Sequence, residues 1–378
     1  MKRQLILLLL ILLTMAACLN LGGQDDILQT DEDDNIEVSI LPSDSLSDSQ
    51  YKMLLPFKPS AARGTITNQV NNRVDMDELE DGLRRLSTDV FDPEKYVYED
   101  GQYFTTKHII GDKNEEGLID KLNPKIKEKE DDDEQVKEHK ENPRVFSHIL
   151  EQNYLERKDD TVKLAGVSIA ISLKSVYRFQ IETGGDYYYK DISEKEMLEA
   201  GKEIAEVILE EARSIEGLGD VPIMIALFRE EKQSSPVSGN FVAKTFVDRG
   251  ERTIGKWEPI DEEYLLLTSS KAKNKHADDY QKVKAFSDKV AEYFPNFNAV
   301  VAEGFYVDDE LRRVKLEIPI EFYGRSEVVG FTQHVYGLLN EIFSNYYDIE
   351  LTVTSSERVE SIIYRPAGEE EANVYIFH

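Results

Sequence analysis

The chain has 378 residues, 40% of them apolar and 10% aromatic, with 74 acidic residues against 45 basic ones and a formal net charge of −29. That length exceeds what one hydrophobic core usually serves, so two domains are expected. The charge argues against a nucleic-acid partner, which needs clustered Lys and Arg, and the single cysteine, Cys18, rules out an intrachain disulfide or a thiolate metal site.

Lys2 and Arg3 precede an unbroken apolar run, Leu5 to Leu13, and Thr14-Met15-Ala16-Ala17 leads into Cys18. A basic start, about 7–15 apolar residues and a small-residue exit are the marks of a secretory signal. The run is too short for a permanent membrane helix, which needs about 20 residues. A cysteine directly after Ala-Ala is a bacterial lipobox, in which the thiolate takes a diacylglyceryl group. Residues 1–17 therefore read as a lipoprotein signal peptide, with Cys18 as the lipidated N-terminus after cleavage. Stable anchoring needs two acyl chains, since one alone holds marginally. Removing Lys2 and Arg3 takes the charge from −29 to −31, so anionic headgroups repel the body and the lipid must do the holding. The expected location is the outer face of the cytoplasmic membrane. The expected partners are that membrane, through the diacylglyceryl-Cys anchor, and the signal peptidase for lipoproteins.

Residues 19–50 carry Asp25, Asp26, Asp31, Glu32, Asp33, Asp34 and Glu37 but no Lys or Arg. Such a stretch cannot bury enough apolar surface to order itself, so 18–50 reads as a lipidated Cys and a flexible acidic tether. A first α+β unit is expected over 51–220. Met53 to Phe57 is a short strand, with Pro56 marking an edge, and Gly64 to Val70 is a second. Asp75 is placed to cap a helix carrying Leu79, Leu83 and Leu86, with Glu78 as its capping-box partner. Tyr96-Val97-Tyr98, Glu99-Asp100-Gly101 and Tyr103-Phe104 read as a hairpin. Residues 112–142 mix Lys, Glu and Asp without apolar periodicity, as a solvated insertion does.

After Pro143, Phe146, Ile149, Leu150 and Tyr154 recur at helical spacing. Val167, Ile169, Ile171 and Leu173, then Tyr177, Phe179 and Ile181, alternate as a long half-buried strand bent near Lys174-Ser175. Ser193 and Glu196 form a capping box ahead of a helix carrying Ala200, Ile204, Val207, Ile208, Ala212 and Ile215, stopped at Gly217 and Gly219. Pro222 to Phe228 is a central strand, which either ends the first unit or starts the second.

A second α+β unit is expected over 221–378. It holds strands at Gly239–Val242 and Tyr264–Leu267, and a helix from His276 to Phe294 ended by Pro295. A hairpin follows over Ala299–Val307 and Leu311–Tyr323, turning at Asp308-Asp309-Glu310. Val328, Val335, Leu338, Leu339, Ile342 and Phe343 form a further helix, and strands at Ile349–Val353, Ile362–Tyr364 and Val374–Phe377 close the chain. Strand–helix–strand thus occurs twice, at Leu164–Phe228 and Leu311–Val353. The fold class is α+β: two tandem related units, each a largely antiparallel sheet with packed helices, after the signal and a disordered tether.

No G-x-S-x-G, H-E-x-x-H or phosphate loop is present, so no catalytic residue is assigned and the chain is read as a non-enzyme. The six histidines are scattered and suggest no metal site, and no cofactor is expected. The candidate ligand-binding residues are Tyr187, Tyr188, Tyr189 and Trp257, with Tyr346 and Tyr347 beside them, because tyrosine and tryptophan stack on sugars and peptides and are also ordinary sheet residues.

Several blocks carry a resemblance. They are Gly82 to Ser87 with Val90-Phe91-Asp92-Pro93, Arg144 to Tyr154, Leu164 to Leu173, and Val221 to Phe228. With the lipobox they resemble the CamS sex-pheromone-precursor lipoproteins of Gram-positive bacteria over essentially the whole chain. The resemblance implies a tandem-repeat body on a lipid anchor. It also implies that the trimmed signal peptide yields a short apolar pheromone-like peptide, here Ile11, Leu12, Leu13, Thr14, Met15, Ala16 and Ala17. That peptide keeps the Ala-Ala end but, unlike the typical family peptide, has no aromatic residue.

Overall fold

The computed structural model describes residues 26–30, 38–40, 51–60, 62–63, 72–73, 75–158, 161–294, 299–322 and 324–378. The signal peptide, Cys18, the strand expected at Gly64–Val70 and Pro295 lie outside the described residues. The first unit contains β1 (Asp26–Thr30), β2 (Val38–Ile40), β3 (Lys52–Leu55), β4 (Tyr96–Asp100), β5 (Phe146–Lys158), β6 (Thr161–Lys174), β7 (Val176–Phe179), β8 (Tyr188–Asp191), β9 (Ile223–Glu230), β10 (Asn240–Val247) and β11 (Glu258–Pro259). The second contains β12 (Glu262–Leu266), β13 (Val301–Val307), β14 (Glu310–Pro319), β15 (Asp348–Thr354), β16 (Val359–Arg365) and β17 (Asn373–Ile376). The helices are α1 (Met76–Ser87), α2 (Thr106–Ile110), α3 (Leu118–Leu122), α4 (Asp132–Glu141), α5 (Glu194–Ser214), α6 (Ser270–Lys275), α7 (Ala277–Tyr293) and α8 (Arg325–Ile342).

Among the described residues the first sheet has nine strands in the order β1-β2-β3-β4-β5-β6-β9-β10-β11, and its run β4-β5-β6-β9-β10-β11 has the topology of the separate six-stranded sheet β12-β13-β14-β15-β16-β17. Within each of these six-strand runs the central pair is parallel and every other adjacent pair antiparallel; β3 and β1 add parallel pairings to β4 and β6 in the first sheet. A single long helix makes the crossover between the parallel strands, α5 from β6 to β9 and α8 from β14 to β15. The two α+β units read from the sequence are therefore real, but their division differs. β9 pairs with β6 along its whole length, and β10 with β9. The first sheet thus runs to Pro259, and the units divide just before Glu262, not at 220/221.

β6 is buried on both faces. Val167, Ile169, Ile171 and Leu173 pack against Ile204, Ile208 and Ala212 of α5, while Ala170 on the other face joins Leu79, Leu83 and Leu86 of α1. Gly166 lets the Phe91 ring lie on the strand, since a Cβ there would sit 2.1 Å from that ring. In the second sheet, Val314, Leu316, Ile318 and Leu351 pack on Phe286, Val290, Phe331 and Val335 of α7 and α8. Alternate positions on β14, at Arg313, Lys315 and Glu317, turn away from that core.

Some expectations are corrected. Phe146 to Tyr154 is strand β5, not helix, because Ser147, His148, Glu151, Gln152 and Asn153 between the apolar residues are buried too. Tyr103-Phe104 is no strand; β4 pairs instead with β3 and β5. Asp75 sits at the α1 N-cap without capping it, its carboxylate meeting Arg73 at 2.5 Å and the Gly239 amide at 3.2 Å. Two short strands, β1 and β2, fall within the stretch read as tether. The 112–142 insertion is largely exposed, yet Leu118 and Ile119 of α3 join the first core. The Ser193–Glu196 capping box, the bend at Ser175 and the Asp308-Asp309 turn, with both residues at positive φ, are as expected.

Candidate functional site

The parallel strands β6 and β9 end side by side, with Lys174 paired to Glu230. β5 starts at the same end, where His148 lies opposite Ser172. The outer edge of the carboxyl ends of parallel strands is where open α/β sheets place ligands, because the backbone diverges there into loops. In this protein that edge is built of polar side chains. Ser147, His148, Ser172, Lys174, Ser175, Glu230 and Asn72 are all buried.

The cluster's chemistry follows from its burial. The Glu230 carboxyl is pushed up to about 6 by desolvation, against the opposing pull of Ser147, Lys174 and Asn72. Lys174 is brought down to about 8 by burial, and its Nζ donates to the Phe146 carbonyl at 3.3 Å. His148 falls to about 3, again by burial, so it is neutral. Its Nδ1 lies 3.0 Å from Ser147 Oγ and 3.4 Å from Glu230 Oε1. Serine, histidine and glutamate here are not a nucleophile relay. That relay places the serine on one ring nitrogen and the acid on the other, whereas both crowd Nδ1, and Nε2 has no hydrogen-bond partner. Ser172 Oγ, Ser175 Oγ and both ends of the Asn72 amide also lack hydrogen-bond partners. Buried polar atoms are nearly always paired, so a group of orphans at one strand end calls for an explanation.

Asn72 leads from this cluster to the surface. It lies against Glu230 on one side and lines a cavity of about 430 Å³ on the other. The roof is the β7–β8 ribbon, in which Val176 pairs with Asp191 and Arg178 with Tyr189. These four residues share the cavity-facing side. The alternate residues Tyr177, Phe179 and Tyr188 turn to the protein, where His139 of α4 stacks on Phe179 at 4.3 Å and gives Tyr177 a hydrogen-bond partner at 2.9 Å. Lys232, Gln233 and Ser234, just after β9, close the third side.

The charges around the cavity are already matched. Lys232 Nζ pairs with Asp191 at 3.0 Å, and Arg178 stacks over Tyr187 at 4.5 Å while donating to Gln233 at 3.4 Å. Of the residues singled out in the sequence, Tyr189 lines this cavity, Tyr187 stands beside it on Arg178, and Tyr188 is packed inward on Phe179. Trp257 is not with them; it packs against the first core just ahead of β11. Tyr346 is bare at 86% exposure and Tyr347 is buried. Sequence reasoning missed Asn72, Arg178 and Gln233, whose polar side chains have no periodic signal.

A wider cleft of about 700 Å³ lies between the units, walled by Asp75, Asp77 and Glu78 on one side and Glu303, Arg313 and Lys315 on the other. Its floor joins them: the Tyr264 hydroxyl donates to Glu78, Arg85 bridges Glu78 and Glu262 at 3.0 Å each, and Arg85 lies 4.6 Å over the Phe305 ring. This is a structural joint. Among the described residues, no cluster of three His, Asp, Glu or Cys could hold a metal ion, and no helix is long and apolar enough to cross a membrane.

The family model described as CamS sex pheromone cAM373 precursor matches residues 57–371. The crystal structure of a sex pheromone precursor from Lactobacillus salivarius subsp. salivarius is 26% identical, with a TM-score of 0.80, over 90% of this chain and 99% of that one. The C-terminal domain of the sex pheromone staph-cAM373 precursor from Staphylococcus aureus is also 26% identical, with a TM-score of 0.67, over 80% of this chain and 96% of that one. No match is found among curated proteins.

Proposed function

Because the chain belongs to the CamS sex pheromone cAM373 precursor family, we propose that it is a lipid-anchored surface lipoprotein and not an enzyme, and that its cleaved signal peptide is the source of the apolar peptide Ile11–Ala17. The observation that carries this reading is the Ala16-Ala17-Cys18 junction after an apolar run. Its partners are the membrane, reached through a diacylglyceryl group on Cys18, and the signal peptidase for lipoproteins. The single cysteine makes the test clean. Cys18→Ala should abolish labelling by a radioactive fatty acid and leave the chain uncleaved or in the medium. Unchanged labelling would sink the anchor. Mass spectrometry of the medium should find a peptide ending at Ala17, and its absence would remove the precursor role.

The groove under β7–β8 favours a second role for the folded body, that of an extracellular binding module. Its support is the orphaned Asn72 amide on the cavity wall beside Tyr189. The crowding of Ser147 and Glu230 on one nitrogen of a neutral His148 supports binding over hydrolysis.

A further inference from the structure

We propose that the cavity between the β7–β8 ribbon and the Lys232–Ser234 loop binds an uncharged saccharide, an inference that rests on the binding-module reading.

Three observations select this class of ligand. First, the groups left open are neutral. Asn72, 1% exposed, has an unpartnered donor and an unpartnered acceptor on one planar amide. Such a pair is complementary to an acetamido group or to two adjacent hydroxyls, each of which offers a donor and an acceptor side by side. Second, the ionic groups are spoken for. Lys232 is held by Asp191, and Arg178 by Tyr187 and Gln233. Among the described residues that line the cavity no cation is without a partner, and a chain of net charge −29 repels anionic ligands at long range. Third, the Tyr189 ring is 57% exposed on the cavity side of the ribbon. The CH-bearing face of a pyranose ring packs on the electron-rich face of an aromatic ring, as other partly positive edges do. The volume of about 430 Å³ lies within the range of small-ligand sites.

Glu230 and Lys174 play no direct part. Glu230 lies against Asn72 on the side away from the cavity, and Lys174 Nζ is turned to the Phe146 carbonyl. Burying the Asn72 amide without a partner is unfavourable, and a sugar supplying both bonds relieves it.

The experiment is saturation-transfer NMR on the full chain in lipid nanodiscs, with tri-N-acetylchitotriose, maltotriose, the acidic sugar trigalacturonate and the tripeptide triglycine as probes. At least one of the two neutral sugars should bind. Tyr189→Ala and Asn72→Ala should each weaken it at least tenfold, and Tyr189→Phe, which keeps the ring, should retain it. Tyr346→Ala, on a bare tyrosine elsewhere, should change nothing. Melting curves identify a variant that has lost its fold, and the exposed Tyr189 pair decides if Asn72→Ala does so. Binding of triglycine or trigalacturonate alone, sensitive to the same substitutions, overturns the saccharide and leaves the binding module standing. Transfer to no probe, or binding indifferent to both Ala variants, overturns the inference and the module together.

Discussion

Six strands of the first sheet and the six of the second share strand order, a central parallel pair and a crossover helix, yet the parallel strands end in opposite ways. In the first unit the pair ends at Lys174 and Glu230, in a buried polar cluster with a cavity behind it. In the second the corresponding strands end at Pro319 and Thr354, and Ile320 beyond them is buried in the apolar core. The faces differ as well. The first sheet is covered on both sides, by α5 and by α1; the second has its helices on the core side and sets Arg313, Lys315 and Glu317 on the other. One topology thus serves two purposes. The sheet covered on both faces carries buried polar groups at its end, and its twin meets it at the joint through Arg85 and Tyr264.

The largest expected effect tests whether the units are separate folding bodies. Leu83 is fully buried in the core that only the first sheet has. Leu83→Ala should cost about 2–5 kcal/mol. Hydrogen exchange should show the loss over β5, β6 and β9 and leave β14 and β15 protected. Equal loss of protection in both sheets would mean that they unfold as one.

The joint comes next. Arg85 sits between two carboxylates that burial would otherwise make costly, and their pull holds its pKa above the usual arginine range in spite of desolvation. Arg85→Ala should cost about 1.5–3 kcal/mol, the range for hydrogen bonds to charged groups. Exchange should quicken at Tyr264–Leu266 while β6 stays protected. An unchanged denaturation midpoint would demote the contact to a surface pair.

Much of this comparison was legible beforehand, and the exceptions have one physical cause. Alternation on β6 and β14, the Ser193 box and the Asp308-Asp309 turn are local signals, and each produced its element. β5 reads as a helix because its buried positions mix polar with apolar residues, and the apolar ones fall at helical spacing. The same burial hid the site. Ser147, His148, Glu151, Gln152 and Asn153 look like surface residues in sequence, and only pairing with β6 and packing against α1 put them inside. Tyr189 was visible as an aromatic in a polar loop; Asn72 was not, since nothing local marks a buried asparagine.

The polar end can be sharpened by titration. Burial holds Glu230 at about 6 rather than the ordinary 4.5. Between those two pH values the folded chain keeps a proton that the unfolded chain has lost, so this group's contribution to stability falls as pH rises through the window. Glu230→Gln removes that dependence. His148, Lys174 and Asp75 face the side chain at position 230, a carboxyl in the parent and an amide in the variant. The variant should therefore gain on the parent by about 2 kcal/mol between pH 4 and 7, read from urea midpoints at each pH. A constant difference across that range would show that the carboxyl is not desolvated as described.

The smallest effect tests whether the twin helices can be made more alike. The crossover helix α5 starts from a reciprocal box: Ser193 Oγ accepts from the Glu196 amide at 3.2 Å, and Glu196 accepts from the Ser193 amide at 2.9 Å. Its counterpart α8 starts at Gly324 with no side-chain cap, although Glu327 stands at the same third position. The Gly324 backbone is extended, at φ −179°, and a Cβ there would meet nothing within 4 Å. Gly324→Ser offers the first turn a side-chain acceptor without strain, but the Glu327 amide already donates to the Gly324 carbonyl at 3.1 Å and would have to share or exchange that bond. Serine exceeds glycine as a cap by only a few tenths of a kcal/mol, and Glu327 already has an interaction to give up before it could complete a box. The expected gain is therefore a few tenths of a kcal/mol, seen as slower exchange in the first turn of α8. Ser193→Ala should cost more, about 1 kcal/mol, because it strips a box already formed. If Gly324→Ser gained as much as Ser193→Ala lost, the Ser-x-x-Glu spacing alone would decide helix entry, and the existing interaction of Glu327 would count for nothing.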